Sequence, residues 1–357
     1  GVEAASAGLE AAGARAGVVP DGAWSEMLAE EVEGTIRGRI ERDGLAADLL
    51  RGLRDVADWR GDRVFEQTVL QALQAIGAAT PEESRAAEEE TGIMTRAAIQ
   101  SIDDARLRVM MPEAIGPLAE LAHLLDPVLC ELIDLTPTAL GVGRRELVGS
   151  GPHPVRDEIG VLSRLFALPE MDTFVGGDDP GRLLAMPGKK RGAWVIGDGV
   201  RSPLHPVHRF LVAQQACALR LGFSALVRRM PSDGATMLHA VAAASDHPLA
   251  AGMDRAGLVD WTRRLHKAMP RKTRKAAAAL AAQVPDGGRD VEAFCVGVRR
   301  GAMRAGALVG GDLTSIVTAL IDEQPSLPVV RATPDANDLI HFWISPQMIE
   351  LRRSLGT

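Results

Sequence analysis

Residues 171–196 read MDTFVGGDDPGRLLAMPGKKRGAWVI, and a few positions later residues 206–221 read PVHRFLVAQQACALRL. The first stretch holds three short β-type runs, 171–175, 182–186 and 193–196, cut apart by Gly-Gly-Asp-Asp-Pro-Gly and Pro-Gly-Lys-Lys-Arg-Gly. Glycine supplies left-handed backbone and proline pre-sets a turn, so the spacing predicts a small meander. The second stretch predicts a strongly apolar helix. Phe210, Leu211, Ala213, Cys217, Ala218 and Leu221 recur at core spacing, which expects the central buried helix of a domain in which Gln214 and Gln215 need hydrogen-bond partners.

Outward from this passage the texture is helical. On the N-terminal side Trp24, Met27, Leu28 and Val32 keep a helical spacing, Leu45, Leu49, Leu50, Leu53 and Val56 form one stripe, and Phe65, Val69, Leu70, Leu73 and Ile76 another that ends at Gly77. Thr80, Pro81, Glu82 and Glu83 make a start signal: a cap residue, proline at the first helical position and acids in the first turn. Residues 114–135 supply a further apolar helix, and helix pairs at about 35-residue spacing point to an α-hairpin array. On the C-terminal side helices are expected over 157–166, 222–230, 235–244, 254–268, 273–284, 291–309, 313–323, 335–342 and 345–355, with Asp335, Asn337 and Ser345 available as caps. The fold class expected is mainly α: an N-terminal helix-hairpin region followed by an α+β domain with a small β meander.

With 357 residues and 46% hydrophobic content the chain has the material for two or three cores. Residues 1–150 carry 14 basic and 27 acidic side chains, residues 151–357 carry 26 and 20. The sign changes at the Gly/Pro-rich passage 141–154, so the expected domains are 1–145, acidic and repeat-like, and 155–357. Aromatic content of 3% with no tyrosine argues against base-stacking modules. Cys130, Cys217 and Cys295 lie far apart in apolar stretches, the pattern of buried reduced thiols and not of a disulfide framework or zinc site. No uncharged apolar stretch reaches the roughly 18 residues a bilayer requires, and Glu3 and Glu10 stand where a secretory signal is basic. A cytoplasmic protein with no membrane partner is therefore expected. Gly1 in place of Met is expected of a processed chain or a segment of a longer one.

Two phrases carry a resemblance. Leu168-Pro169-Glu170-Met171-Asp172-Thr173-Phe174-Val175, followed later by Met303-Arg304-Ala305-Gly306-Ala307-Leu308-Val309-Gly310-Gly311-Asp312-Leu313, resembles the C-terminal region of large bacterial tetratricopeptide-repeat proteins, over roughly Met94 to Leu355. That region in turn is similar to a degenerate zinc metallopeptidase of the CAAX-prenyl-protease type, with a short sheet, a helix carrying HExxH, and a third ligand on a later helix. The resemblance implies a helical core built on such a scaffold, and lays the motif on Gln214, Gln215, Ala216, Cys217 and Ala218, with the carboxylate ligand's position on Arg299 and the motif's arginine on Arg304. An amide, a methyl and a guanidinium replace two imidazoles and a carboxylate, so these positions cannot hold a divalent cation. The resemblance therefore implies a pseudoenzyme with no zinc and no cofactor.

His205 and His208, and His239 and His247 with Asp246, lack a third partner at ligand spacing. Ser150 sits between Gly149 and Gly151, whereas a nucleophile elbow needs glycine two residues away on each side. Gly176-Gly177-Asp178 and Gly310-Gly311-Asp312 lack the Lys-Ser/Thr of a phosphate loop. Arg263, Arg264, Lys267, Arg271, Lys272, Arg274 and Lys275 form a basic run without an acid, to be read as a solvated corner, a seat for an acidic surface, or a polyanion site. Glu88-Glu89-Glu90 is most simply a solvated helix face, and the cluster 339–344, with Phe342 and Trp343, closes a core or offers an interaction patch. The expected function is that of a non-catalytic scaffold binding a protein partner; the alternatives are nucleic-acid binding through 263–275 and an enzyme of another type.

Overall fold

A computed structural model of the chain describes residues 26–89, 101–149, 151–188, 191–252 and 255–355, together with Ala11, Gly13 and Ala14. Glu3, Glu10, Trp24, Glu90, Met94, Ser150 and Asp254, which figure in the sequence reading, lie outside these residues. The chain divides into two compact units, residues 1–97 with 310–357, and residues 98–309. The passage 141–154 where the charge changes sign thus falls within the second unit.

In the first unit, α1 (Glu26–Asp43) buries Ala29, Val32, Ile36 and Ile40 along one stripe. Next, α2 (Ala47–Arg60) buries Leu49, Leu50, Leu53 and Val56, and α3 (Arg63–Ala75) buries Phe65, Val69, Leu70 and Leu73, the residues whose spacing predicted them. Asp62 caps α3 by accepting from the Phe65 N–H at 3.1 Å. The start signal at residue 80 opens α4 (Pro81–Glu89) as a reciprocal capping box: the Glu83 N–H donates to Thr80 Oγ1 and the Thr80 N–H to Glu83 Oε2. Glu83 is only 6% exposed, and it also accepts from Arg51 at 3.0 Å and Arg54 at 2.8 Å.

The second unit begins with α5 (Asp104–Met110), α6 (Pro117–Leu132) and α7 (Pro154–Leu165). The small sheet follows as β1 (Asp172–Val175), β2 (Leu183–Met186) and β3 (Ala193–Ile196). Its strands are the predicted ones, but β3 lies in the middle, parallel to β1 and antiparallel to β2. Alternation sends Ala193 and Val195 into a core with Leu121, Leu125 and Leu129 of α6, and Trp194 to the opposite face. Both sheet edges are occupied, which removes the hazard of unpaired strand backbone. Beside β1, the Val148 N–H donates to Thr173 O and the Val175 N–H to Glu146 O. The outer edge of β2 is occupied by a side chain described below.

Helices then return: α8 (Pro206–Leu221), the short α9 (Ser224–Val227), α10 (Pro231–Ala244), α11 (Leu258–Ala268), α12 (Arg271–Ala281) and α13 (Val291–Gly310). As expected, α8 buries Phe210, Ala213, Cys217 and Ala218; Val212 and Ala216 join them, while Leu211 and Leu221 are half-buried. Gly222 ends α8 at φ 73°, where a Cβ would also lie 2.7 Å from His123 Cα. Against α8 the long α13 presents Gly306, whose absent Cβ makes room for the Phe210 ring. The chain finishes in the first unit with α14 (Leu313–Ile321), α15 (Leu327–Ala332), α16 (Pro334–Trp343) and α17 (Pro346–Leu355). Among the expected caps, Ser345 accepts from the Met348 N–H at 3.2 Å. The fold is thus mainly α with one small mixed sheet, and among the described residues no helix is long and apolar enough to cross a membrane.

Candidate functional site

Of the motif positions on α8, Gln215 has a structural role. Gln215 lies beside the outer edge of β2, where its Oε1 accepts from the Ala185 N–H and its Nε2 donates to Leu183 O, both at 2.6 Å. One carboxamide thereby replaces a rung of a fourth strand. Arg228 completes the arrangement by donating to Gln215 Oε1 at 2.5 Å and to Ala185 O at 3.1 Å. Gln214 is half-buried, Ala218 is packed in the core, and Arg299 lies half-buried on α13. Arg304 donates to Met110 O at 3.3 Å.

Arg228 had no signal in the sequence, and neither had its neighbour Asp126 on α6, which is 2% exposed and accepts from the Ala225 N–H at 2.8 Å. Burial raises the Asp126 carboxyl above the ordinary carboxylate range, against the opposing bonds from Ala225 and Ser224. Burial likewise pulls Arg228 down to about 10, with Cys130 and Asp126 opposing. The three cysteines are buried and unbridged. Desolvation pushes Cys217 and Cys295 up to about 12, and desolvation with the nearby Asp126 raises Cys130 further, so none offers a thiolate near neutral pH.

The histidines are dispersed. His205 caps α8 by accepting from the Val207 N–H, with the His208 ring edge-on at 6.4 Å. His239 is buried on α10, its Nδ1 without a partner among the described residues, and burial plus the Arg255 charge keep it below the usual imidazole range. No group of three or more His, Cys, Asp or Glu able to hold a metal occurs among the described residues.

The basic run divides in two. Arg263 pairs with Asp260 at 2.5 Å, Arg264 stacks over Trp261 at 4.5 Å and donates to Leu132 O, and Arg274 donates to His266 Nε2. Lys267, Arg271, Lys272 and Lys275 are exposed and make no hydrogen bond or ion pair among the described residues. Arg271 and Lys272 occupy the first turn of α12, which contains no acid. Cations at a helix N-terminus oppose the macrodipole at about 0.3–1 kcal/mol each. Local electrostatics therefore disfavours the arrangement that the sequence keeps.

Beside this corner lies a groove of about 950 Å³ between α5, α6, α12 and the end of α8. Leu107, Ala119 and Phe223 are its buried apolar floor, and Ile115, 63% exposed, stands at its side. Its α12 wall is Ala276, Ala279 and Leu280. Lys272 and Lys275 precede Ala276 and Ala279 by four residues, so they continue the same helical row. Arg108 and the Asp104–Arg220 pair, 3.3 Å apart, stand on the opposite side.

Of the two readings of 339–344, core closure describes Trp343. Trp343 is 1% exposed and lies beneath the Arg352 guanidinium, 4.9 Å from the ring centroid. It is a core residue, because one apolar helix side carries Leu339, Ile340 and Trp343 inward; Phe342 is half-buried. No family model, curated protein or solved structure matches the chain.

Proposed function

We propose that this protein is a non-catalytic interaction component whose second unit binds an acidic, amphipathic helix of a partner protein. The observation that carries the reading is the groove itself: an apolar floor continued, along one row of α12, into lysines that make no ion pair among the described residues. An amphipathic helix buries an apolar stripe in such a groove, and acids flanking that stripe face Lys272, Lys275 and Arg108. Gln215 supports the non-catalytic half of the reading, since the amide at the motif position serves as a strand surrogate. On this view α8 belongs to a pseudo-metallopeptidase scaffold of the bacterial repeat-protein type and works without a cofactor.

The four cations without partners among the described residues also favour a second reading, polyanion binding, in which the groove plays no part. A synthetic helical peptide with leucines at i, i+3, i+4 and i+7 and flanking glutamates separates the two, with single-stranded DNA as the competing probe. The protein-binding reading expects saturable peptide binding that weakens on Lys272→Glu with Lys275→Glu and also on Ala279→Arg in the groove wall. DNA binding with a steep salt slope and indifference to Ala279→Arg would establish the second reading and overturn the first.

A further inference from the structure

Two turns of the second unit, Ala250–Gly252 and Pro285–Gly288, pack against each other, with Gly287 beside Ala250. The first lies on the path from α10 to α11 and the second on the path from α12 to α13. Together they flank the α11–α12 pair, which carries the basic run and one wall of the groove. Beneath them lies His239 of α10, 2% exposed. Its Cε1, the atom between the two ring nitrogens, faces Gly288: a Cβ there would lie 3.1 Å from Cε1 and 2.9 Å from Leu249 Cδ1. The chain passes over the ring through three successive left-handed residues, Asp286, Gly287 and Gly288, at φ 50°, 61° and 83°. That conformation is routine only for glycine, so surrounding contacts must hold the turn closed.

A neutral imidazole fits this place and a charged one does not. Nδ1 is buried without a partner among the described residues. In a neutral ring it need only leave a lone pair unused, whereas in the imidazolium both nitrogens donate. A buried N–H without an acceptor, on a ring that carries a charge, is the costlier state. The surrounding groups do not offset that charge. On α10 the residues one turn away, Ala235, Thr236, Ala242 and Ala243, carry none. On α13 burial keeps the Cys295 thiol protonated, and Glu292 is taken by Arg255 at 2.7 Å. Arg255 itself, which also donates to Ser232 O at 3.3 Å, repels a positive ring. Asp246, His247, Asp286, Arg289 and Asp290, on the covering turns and their flanks, are exposed to solvent.

We propose that His239 is an acid-released clasp: protonation of its ring parts the turns 250–252 and 285–288 and frees the α11–α12 pair between them. Burial and Arg255 make the enclosed ring bind a proton less readily than the opened one. The closed form is therefore complete above about 6.5, the ordinary imidazole value, and gives way progressively as pH falls below it. The clasp stands on these contacts alone; that its release also withdraws the α12 wall from a bound helix rests on the groove reading above.

The test is hydrogen–deuterium exchange of the full chain at about pH 7.5 and about pH 5.5, on either side of the imidazole range and corrected for the intrinsic rate. Segments containing 249–252 and 285–288 should exchange about tenfold faster at the lower pH, while residues 47–75 of the first unit do not. The difference should vanish in His239→Leu and His239→Gln. Exchange no faster at the lower pH, or equally accelerated in both variants, would overturn the clasp. Should neither variant fold, Arg255→Gln decides: it removes the repelling charge, so the two segments should open at a higher pH, and an unchanged opening pH would overturn the assignment. Affinity for the glutamate-flanked peptide, read on the same samples, separates the two readings, since peptide binding absent at both pH values removes the groove reading and leaves accelerated exchange as support for the clasp.

Discussion

The carboxamide of Gln215 pairs with the backbone of Ala185, Oε1 accepting from its N–H at 2.6 Å, in the place where a further strand would lie. The companion bond from Nε2 to Leu183 O gives the edge of β2 both a donor and an acceptor.

Gln215→Leu should therefore destabilise the second unit by about 2 kcal/mol or more, since it strands the Ala185 N–H and Leu183 C=O and removes a partner of Arg228. Gln215→Glu keeps the acceptor for Ala185 and Arg228 and loses only the bond to Leu183, so its cost should be smaller. Urea denaturation of the three proteins gives the order; equal midpoints for Gln215→Leu and the parent would show the bonds to be dispensable.

This pairing also marks where sequence reading stops. Helices and strands were legible because apolar spacing records which side of each element is buried, as in Phe210, Ala213 and Cys217 on α8, and because Thr80 and Glu83 cap through neighbours three residues apart. That Gln215 needs partners was also legible, whereas the same expectation for Gln214 fails: it is half-buried and makes no side-chain hydrogen bond among the described residues. The identity of Gln215's partners was not legible, because Leu183 lies 32 residues from Gln215 and Ala185 lies 30. The order of the strands escaped for the same reason: the turns predict reversals, but nothing local places β3 between β1 and β2. Of the basic run, composition showed seven cations without distinguishing Arg263, Arg264 and Arg274, which find partners, from the four that find none among the described residues. The groove and the clasp were invisible, since residues such as Leu107, Phe223 and Ala279, or His239 and Gly288, converge only in the fold.

Gly306 is a position where any side chain collides. A Cβ would lie 2.7 Å from Phe210 Cδ2 and 2.9 Å from the Phe210 carbonyl oxygen, and the backbone atom cannot swing aside as a side chain can. Gly306→Ala should cost about 1–3 kcal/mol by overpacking despite the better helix propensity of alanine. Thermal unfolding checks it, and Gly306→Ala combined with Phe210→Leu should not recover the parent's stability, because the carbonyl clash remains.

Acid should weaken the first unit through Glu83 and Glu33. Burial alone would raise the Glu83 carboxyl, but bonds from Arg51 and the Thr80 N–H, with the charges of Arg51 and Arg54, outweigh it and hold the carboxyl below its ordinary value near 4.5. At Glu33 burial is likewise outweighed by Arg37 and Arg60. Both groups bind protons more readily in the unfolded chain, so the stability they contribute is complete above about 4.5 and is lost as pH falls through the lower folded values. The slope of unfolding free energy against pH below that point should flatten in Glu83→Gln and Glu33→Gln. An unchanged slope would remove both carboxylates from the acid response.

The first turn of α12 offers a prediction in which stability and binding move in opposite directions. Arg271 and Lys272 stand at the positive end of the helix dipole without an acid to offset them, and neither makes an ion pair among the described residues that its replacement would break. Glutamate at either position favours the dipole, so Arg271→Glu and Lys272→Glu should each stabilise the fold by about 0.3–1 kcal/mol. High salt should shrink that gain, because the interaction is exposed and screened. If the lysine row beside the groove holds an acidic helix, Lys272→Glu should at the same time weaken the glutamate-flanked peptide, mainly through slower association. A control at Lys267, in the last turn of α11 where a cation suits the dipole, should lose stability on the same reversal. Denaturation midpoints for the three variants, read beside their peptide affinities, test the relation. A gain in stability with undiminished binding at Lys272 would mean that the cation is kept for something other than this groove.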